Sequence, residues 1–137
     1  MGSNMNNGTI LLIDDEDVIL NVAEQVLRRA GYHVIPAQNG IEAVSLTQSH
    51  VGAGRKFNAV IMDLSLPGHL TGVELVEKIR EVDSKIAVII SSGHTDDRMM
   101  LDYKAFGFTG KLTKPYKAGD LLAVVENATG VCSTVVS

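Results

Sequence analysis

Short apolar runs alternate five times with longer stretches of helical spacing, and this alternation constrains the fold more than any other feature of the chain. Thr9–Ile13 and residues 59–62 and 86–90 are continuous apolar segments of the kind buried on both faces of a parallel sheet, and residues 33–35 and 108–112 are weaker versions. Between the first two runs Val18, Ile19, Val22, Ala23, Val26, Leu27 and Ala30 recur as i, i+1, i+4, i+5, a stripe closed by Gly31, which predicts a helix over 18–30. Residues 39–50, 71–82, 96–106 and 118–127 are the other predicted helices, and Thr71 stands three residues before Glu74 as in a capping box. Five strand–helix repeats imply an α/β domain with a doubly wound, five-stranded parallel sheet, (βα)5, and helices on both faces. In that architecture ligands sit beyond the carboxyl ends of the strands, near the point where the strand order reverses.

The chain's 137 residues suit one core, expected over residues 9–127, with 1–8 set aside as a disordered polar leader or cloning remnant and 128–137 as a C-terminal tail. A formal net charge of −4 gives no broad cationic footprint for nucleic acid or anionic lipid. The single cysteine, Cys132, excludes an intrachain disulfide and a cysteine-rich zinc site. No apolar run reaches the ~20 residues of a membrane span, and the start lacks a signal-peptide pattern, so a cytoplasmic location is expected. The segment Val51-Gly52-Ala53-Gly54 lacks the lysine of a phosphate-binding loop and reads as a connection.

Chemistry is concentrated where the runs end. The first gives way to Asp14-Asp15-Glu16-Asp17, the third to Asp63, the fourth to Ser91-Ser92 and the fifth to Lys114-Pro115. Singly, each has an ordinary explanation: an aspartate after a strand starts turns, and Glu16 and Asp17 suit the first turn of a helix. Together, converging carboxylates repel unless a cation lies between them, and all-oxygen donors favour Mg²⁺ over zinc or copper. A carboxylate can attack phosphorus to give an aspartyl phosphate, while a lysine and a hydroxyl stabilise charge on the equatorial oxygens.

These residues, in order and spacing, resemble response-regulator receiver domains of the CheY-like superfamily over most of the chain. The resembling segments are Ile10-Leu11-Leu12-Ile13-Asp14-Asp15-Glu16, Met62-Asp63-Leu64-Ser65-Leu66-Pro67, Ile89-Ile90-Ser91-Ser92-Gly93 and Lys114-Pro115-Tyr116. The resemblance implies a flavodoxin-like receiver fold in a two-component or phosphorelay system, with a cis Lys114-Pro115 bond. It implies that Asp63 accepts a phosphoryl group from a sensor histidine kinase or histidine phosphotransfer protein, that Ser91 and Lys114 contact it, and that Asp15, Asp63 and the Ser65 carbonyl ligate Mg²⁺ with Asp14 in support. Such a domain catalyses its own phosphoryl transfer and loss, and homodimerisation through the fourth and fifth helices is open to it. The stretch from Asp63 to Gly72, one residue longer than in most receivers, is similar to receivers of hybrid histidine kinases.

Lys111 departs from the family, standing where an aromatic switch residue is usual; it reads as a solvated strand-end residue or as an acid-binding charge on the output face. Small residues at Ser65 and Gly93 imply a short phosphoryl lifetime. His69 and His94 read as loop residues, and Met99, Met100 and Phe106 as core or contact residues of the fourth helix. Two rivals remain: a Mg²⁺-dependent phosphatase, which would want an acid where Ser65 stands, and a degenerate binding module, which the intact Asp14, Asp15, Asp63, Ser91 and Lys114 set argues against.

Overall fold

A computed structural model describes residues 7–66, 71–94 and 96–130. The chain runs β1 (Thr9–Ile13), α1 (Asp17–Arg29), β2 (His33–Ala37), α2 (Gly40–Gly52), β3 (Ala59–Asp63), α3 (Gly72–Val82), β4 (Ala87–Ser92), α4 (Arg98–Leu101), β5 (Gly110–Thr113) and α5 (Ala118–Thr129). The strands form one parallel sheet in the order β2-β1-β3-β4-β5, so the winding reverses between β1 and β3. The doubly wound (βα)5 fold expected from the alternation is the fold observed.

The apolar runs are continuous because both sheet faces are covered. Alternate residues go to opposite sides: Leu11, Ile13, Val60, Met62, Val88 and Ile90 pack beneath α2, α3 and α4 with Leu75, Ile79 and Phe57. Ile10, Leu12, Ala59, Ile61, Ile89 and Leu112 pack on the other face with Leu27, Leu121 and Val125 of α1 and α5. Each fully buried aliphatic side chain contributes roughly 1.5–3 kcal/mol. On the edge strand β2, His33 and Ala37 bond inward, to Gly8 and Asp14, which leaves the main-chain groups of Val34 and Pro36 facing the free edge. Pro36 lacks an N–H, and the Val34 carbonyl accepts from Arg28 at 3.1 Å, so the free edge is a poor template for another strand.

Local signals hold at most boundaries. Thr71 and Glu74 form the expected capping box, Asn39 caps α2 through the Glu42 N–H, and Gly31 closes α1 with φ +95°. The α1 stripe, however, sits rotated from its expected position: Leu20, Ala23 and Leu27 are buried, while Val18 and Val22 are exposed. The largest difference is α4, a single turn where a helix over 96–106 was expected. After Leu101 the chain runs on as turns, with Gly107 N–H bonded to Lys104 and Phe108 N–H to Tyr103. Only Met100 of α4 is buried, so little packing holds a longer helix together. Gly107 adopts φ +86°, and the Arg80 guanidinium donates to its carbonyl at 2.6 Å, pinning this turn to the end of α3.

Candidate functional site

The sheet register brings the expected residues together. Asp63 ends β3 directly opposite Ser91 of β4, Asp14 follows β1 across the switch point, and Lys114 follows β5 with its N–H on the Ser92 carbonyl. The Lys114 ammonium lies 2.7 Å from Asp14 Oδ2, 2.8 Å from Asp63 Oδ2 and 3.5 Å from Glu16 Oε1. Asp14, Asp63 and Ser91 are almost fully buried, whereas Asp15 and Glu16 are exposed at the mouth. The free oxygens of the buried pair are held by the backbone: Asp63 Oδ1 accepts the Ser65 N–H at 2.9 Å and Asp14 Oδ1 the Glu16 N–H at 3.0 Å. The Ser91 hydroxyl has only a long, 3.5 Å contact to the Met62 carbonyl, which leaves it easily redirected. The Lys114-Pro115 bond is cis.

Charge is unbalanced here. Burial lifts the Asp14 carboxyl above the usual aspartate range, and the neighbouring Asp63 charge adds to it, against the bonds from Lys114 and the Glu16 N–H. Burial works against the Lys114 ammonium too, but its bonds to Asp14 and Asp63 outweigh it and hold the group above the ordinary lysine value. The hydroxyl of Tyr116, half-buried beside these charges, is pushed up to about 12, mainly by burial.

Carboxylate oxygens of Asp14, Asp15, Glu16 and Asp63 lie within 4.8 Å of one another. Four carboxylate donors, two from buried acids and two from exposed ones, are a donor set that fits Mg²⁺. Glu16 is the addition to the sequence reading, which placed it in the first turn of α1 as a dipole partner. It is instead the residue before α1, carried to the cluster by its N–H bond to Asp14. A small apolar groove of about 170 Å³, lined by Val18, Ile19, Val22, Ala23, Pro115 and Tyr116, opens beside the site.

Lys111 is not a freely solvated strand-end lysine: its ammonium donates to the Met100 carbonyl at 3.1 Å and lies 5.2 Å from the Tyr103 ring centroid. Gly93 is exposed, with open space where a Cβ would stand. His94 is an exposed loop residue; Met100 is core, and Met99 packs against the same cluster. Phe106 is 42% exposed in the turn after α4. His69 and Cys132 lie outside the described residues.

A family model described as response regulator receiver domain matches residues 10–126. The chain belongs to that family, the phosphoacceptor modules of two-component and phosphorelay signalling. Among curated proteins it is 25% identical over 122 residues to sporulation initiation phosphotransferase F of Bacillus subtilis, covering 89% of this chain and 94% of that one. Other curated relatives are longer, the chain spanning 20%, 52% and 54% of three of them. The solved receiver domain of a sensor histidine kinase from Pseudomonas aeruginosa, described with a magnesium ion in its active-site cleft, matches with a TM-score of 0.76 at 26% identity over 90% of this chain and 98% of that one. The receiver of the hybrid histidine kinase CckA matches with a TM-score of 0.73 at 30% identity, covering 89% and 99%. Among the described residues no helix is long and apolar enough to cross a membrane.

Proposed function

We propose that Asp63 is the phosphoacceptor, that a phosphohistidine of a sensor kinase or phosphotransfer protein is its donor, and that Asp14, Asp15, Asp63 and the Ser65 carbonyl hold Mg²⁺, with Glu16 at the rim. The observation that carries this reading is the buried Asp63 carboxylate, paired to Lys114 at 2.8 Å and set in register with Ser91. A carboxylate oxygen of Asp63 attacks phosphorus in line, the phosphorus–nitrogen bond breaks, and the imidazole leaves with the bonding pair. Bound Mg²⁺ would supply positive charge to the transferred group's oxygens. Lys114 stays protonated and supplies a second cation, and the loosely held Ser91 hydroxyl turns to donate to a phosphoryl oxygen.

The new dianion draws Ser91 and Lys114 inward, which loosens Lys114 from Asp14 and alters the α4–β5–α5 face. Lys111, tied to the end of α4, stands on that face in place of an aromatic switch. The apolar groove between α1 and Pro115, the residue after Lys114, suits the donor protein's docking surface. The parent setting that best fits the CckA receiver likeness is a hybrid kinase or a stand-alone regulator; a cytoplasmic location and a homodimer belong to the same proposal.

Transfer from a ³²P-labelled histidine phosphotransfer protein tests this reading. Label should move to the wild-type chain as a hydroxylamine-labile acyl phosphate and should not move to Asp63→Asn. Hydroxylamine-resistant label, or label on the variant, would place the acceptor elsewhere.

A further inference from the structure

At the opposite end of the sheet from Asp63, a cavity of about 460 Å³ is lined by Thr9, Arg28, His33, Val34, Ile35, His50, Arg55 and Lys56. Three lysines or arginines and two of the four histidines converge there, and none of the 16 acids lines it, in a chain whose net charge is −4. The sequence explains the imbalance: from Gln25 to Met62 the only acid is Glu42, which stands at the other end of the sheet in the first turn of α2. The amino end of β2, the last turns of α1 and α2 and the α2–β3 connection come from that stretch and, with Thr9 at the amino end of β1, form the walls.

Basic groups in the last turns of α1 and α2 complement those helix ends, which accounts for Arg28 and His50. It does not account for His33 at a strand start, or for Arg55 and Lys56 beyond the helix. Among the described residues, the one ion pair made by any lining side chain is Arg28 with Glu24 at 2.7 Å, so Arg55 and Lys56 have no carboxylate partner. Two walls are fixed in advance: the His50 ring stacks on buried Phe57 with centroids 4.3 Å apart, and Arg28 is held by Glu24 and the Val34 carbonyl. A concave, partly pre-organised cluster of donors in which only Arg28 carries a counter-charge is the chemistry that recognises phosphoryl oxygens.

We propose that this cavity binds a small soluble molecule bearing phosphate groups, at a site separate from the phosphoacceptor. A lipid headgroup shares that chemistry, but the exposed large apolar residues Val18, Val22, Ile41, Val73, Leu101 and Phe106 are all absent from the lining, which favours a free ligand. The test is a titration of the full chain with inorganic pyrophosphate in EDTA, followed by amide ¹H–¹⁵N shifts. Without Mg²⁺ the acidic pocket repels the anion, so saturable shifts should centre on His33, His50, Arg55 and Lys56. Arg55→Gln with Lys56→Gln should weaken binding about tenfold or more, while acetyl phosphate labelling of Asp63 stays unchanged. Single Arg55→Gln and Lys56→Gln variants guard against a folding defect in the double one, and each should show a part of the loss. No saturable shift, shifts centred on Asp14 and Asp63, or an affinity indifferent to these substitutions would overturn the site. Co-sedimentation with phosphatidic acid vesicles in the absence of pyrophosphate binding would overturn the soluble-ligand assignment.

Discussion

Replacing Lys114 with methionine keeps an unbranched apolar stem, one atom shorter, but removes the charge between two buried carboxylates. At an effective dielectric near 20, each pair at about 2.8 Å attracts by roughly 6 kcal/mol. Desolvation of all three groups offsets most of that, and removing one member of such a cluster costs about 3–5 kcal/mol, because the remaining charges stay buried without a partner. Urea unfolding at pH 7 without metal should show that loss. Two further measurements separate this cause from simple misfolding. Saturating Mg²⁺ should restore much of the loss, since a cation bound only by the folded chain replaces the missing charge. Lowering the pH should also narrow the gap between variant and wild type. The folded-state pKa of Asp14 is already raised, and in the variant this carboxyl also loses its bond from Lys114; a folded group that holds its proton better than the unfolded one gains stability as pH falls through that folded pKa, the gain being complete below the unfolded value. In the wild type the raised Lys114 pKa has the same sign at the other end of the scale, its stabilisation fully present below about 10.5 and lost as pH rises from there through the raised folded value. A variant as stable as wild type, or a loss indifferent to both Mg²⁺ and pH, would refute the account of this cluster.

Gly110→Ala should destabilise by about 1–3 kcal/mol in thermal or urea unfolding, because a Cβ there would lie 2.8 Å from the stiff Val124 side chain. Lys111→Met should leave global stability within about 1 kcal/mol yet speed hydrogen exchange through residues 98–106, since the donor to the Met100 carbonyl is lost. Gly93→Leu, at an exposed position with open space ahead of its Cβ, should slow loss of phosphoryl label by screening the mouth from water; unchanged decay would remove Gly93 from the reading.

The parts of this molecule visible in its sequence are those that local patterns dictate. Thr9–Ile13 reads as a strand because both of its faces are buried, and Asp14, Asp63, Ser91 and Lys114 mark the site because each directly ends, or follows, such a run. α4 was misread because Met99, Met100 and Phe106 have an apolar character that does not by itself supply a buried face. The α1 stripe was placed off-centre for a related reason: Val18 and Val22 share its periodicity but point at the groove beside Pro115 rather than into the core. Glu16 and Lys111 gain their roles from contacts across the fold, to Lys114 and to Tyr103 and Met100, that no short window contains. The basic cavity joins Arg28, His33, His50 and Arg55 through β2 pairing with β1, and net charge conceals it behind the acids at the opposite end.

The central claim is that Asp63 accepts a phosphoryl group beside a divalent cation, and intact-mass analysis after incubation with acetyl phosphate and Mg²⁺ tests it most directly. The account predicts a gain of one phosphoryl group, about 80 Da, that is abolished by Asp63→Asn and by a chelator. A gain that survives either control, or no gain by folded protein that also fails to bind Mg²⁺, would contradict it.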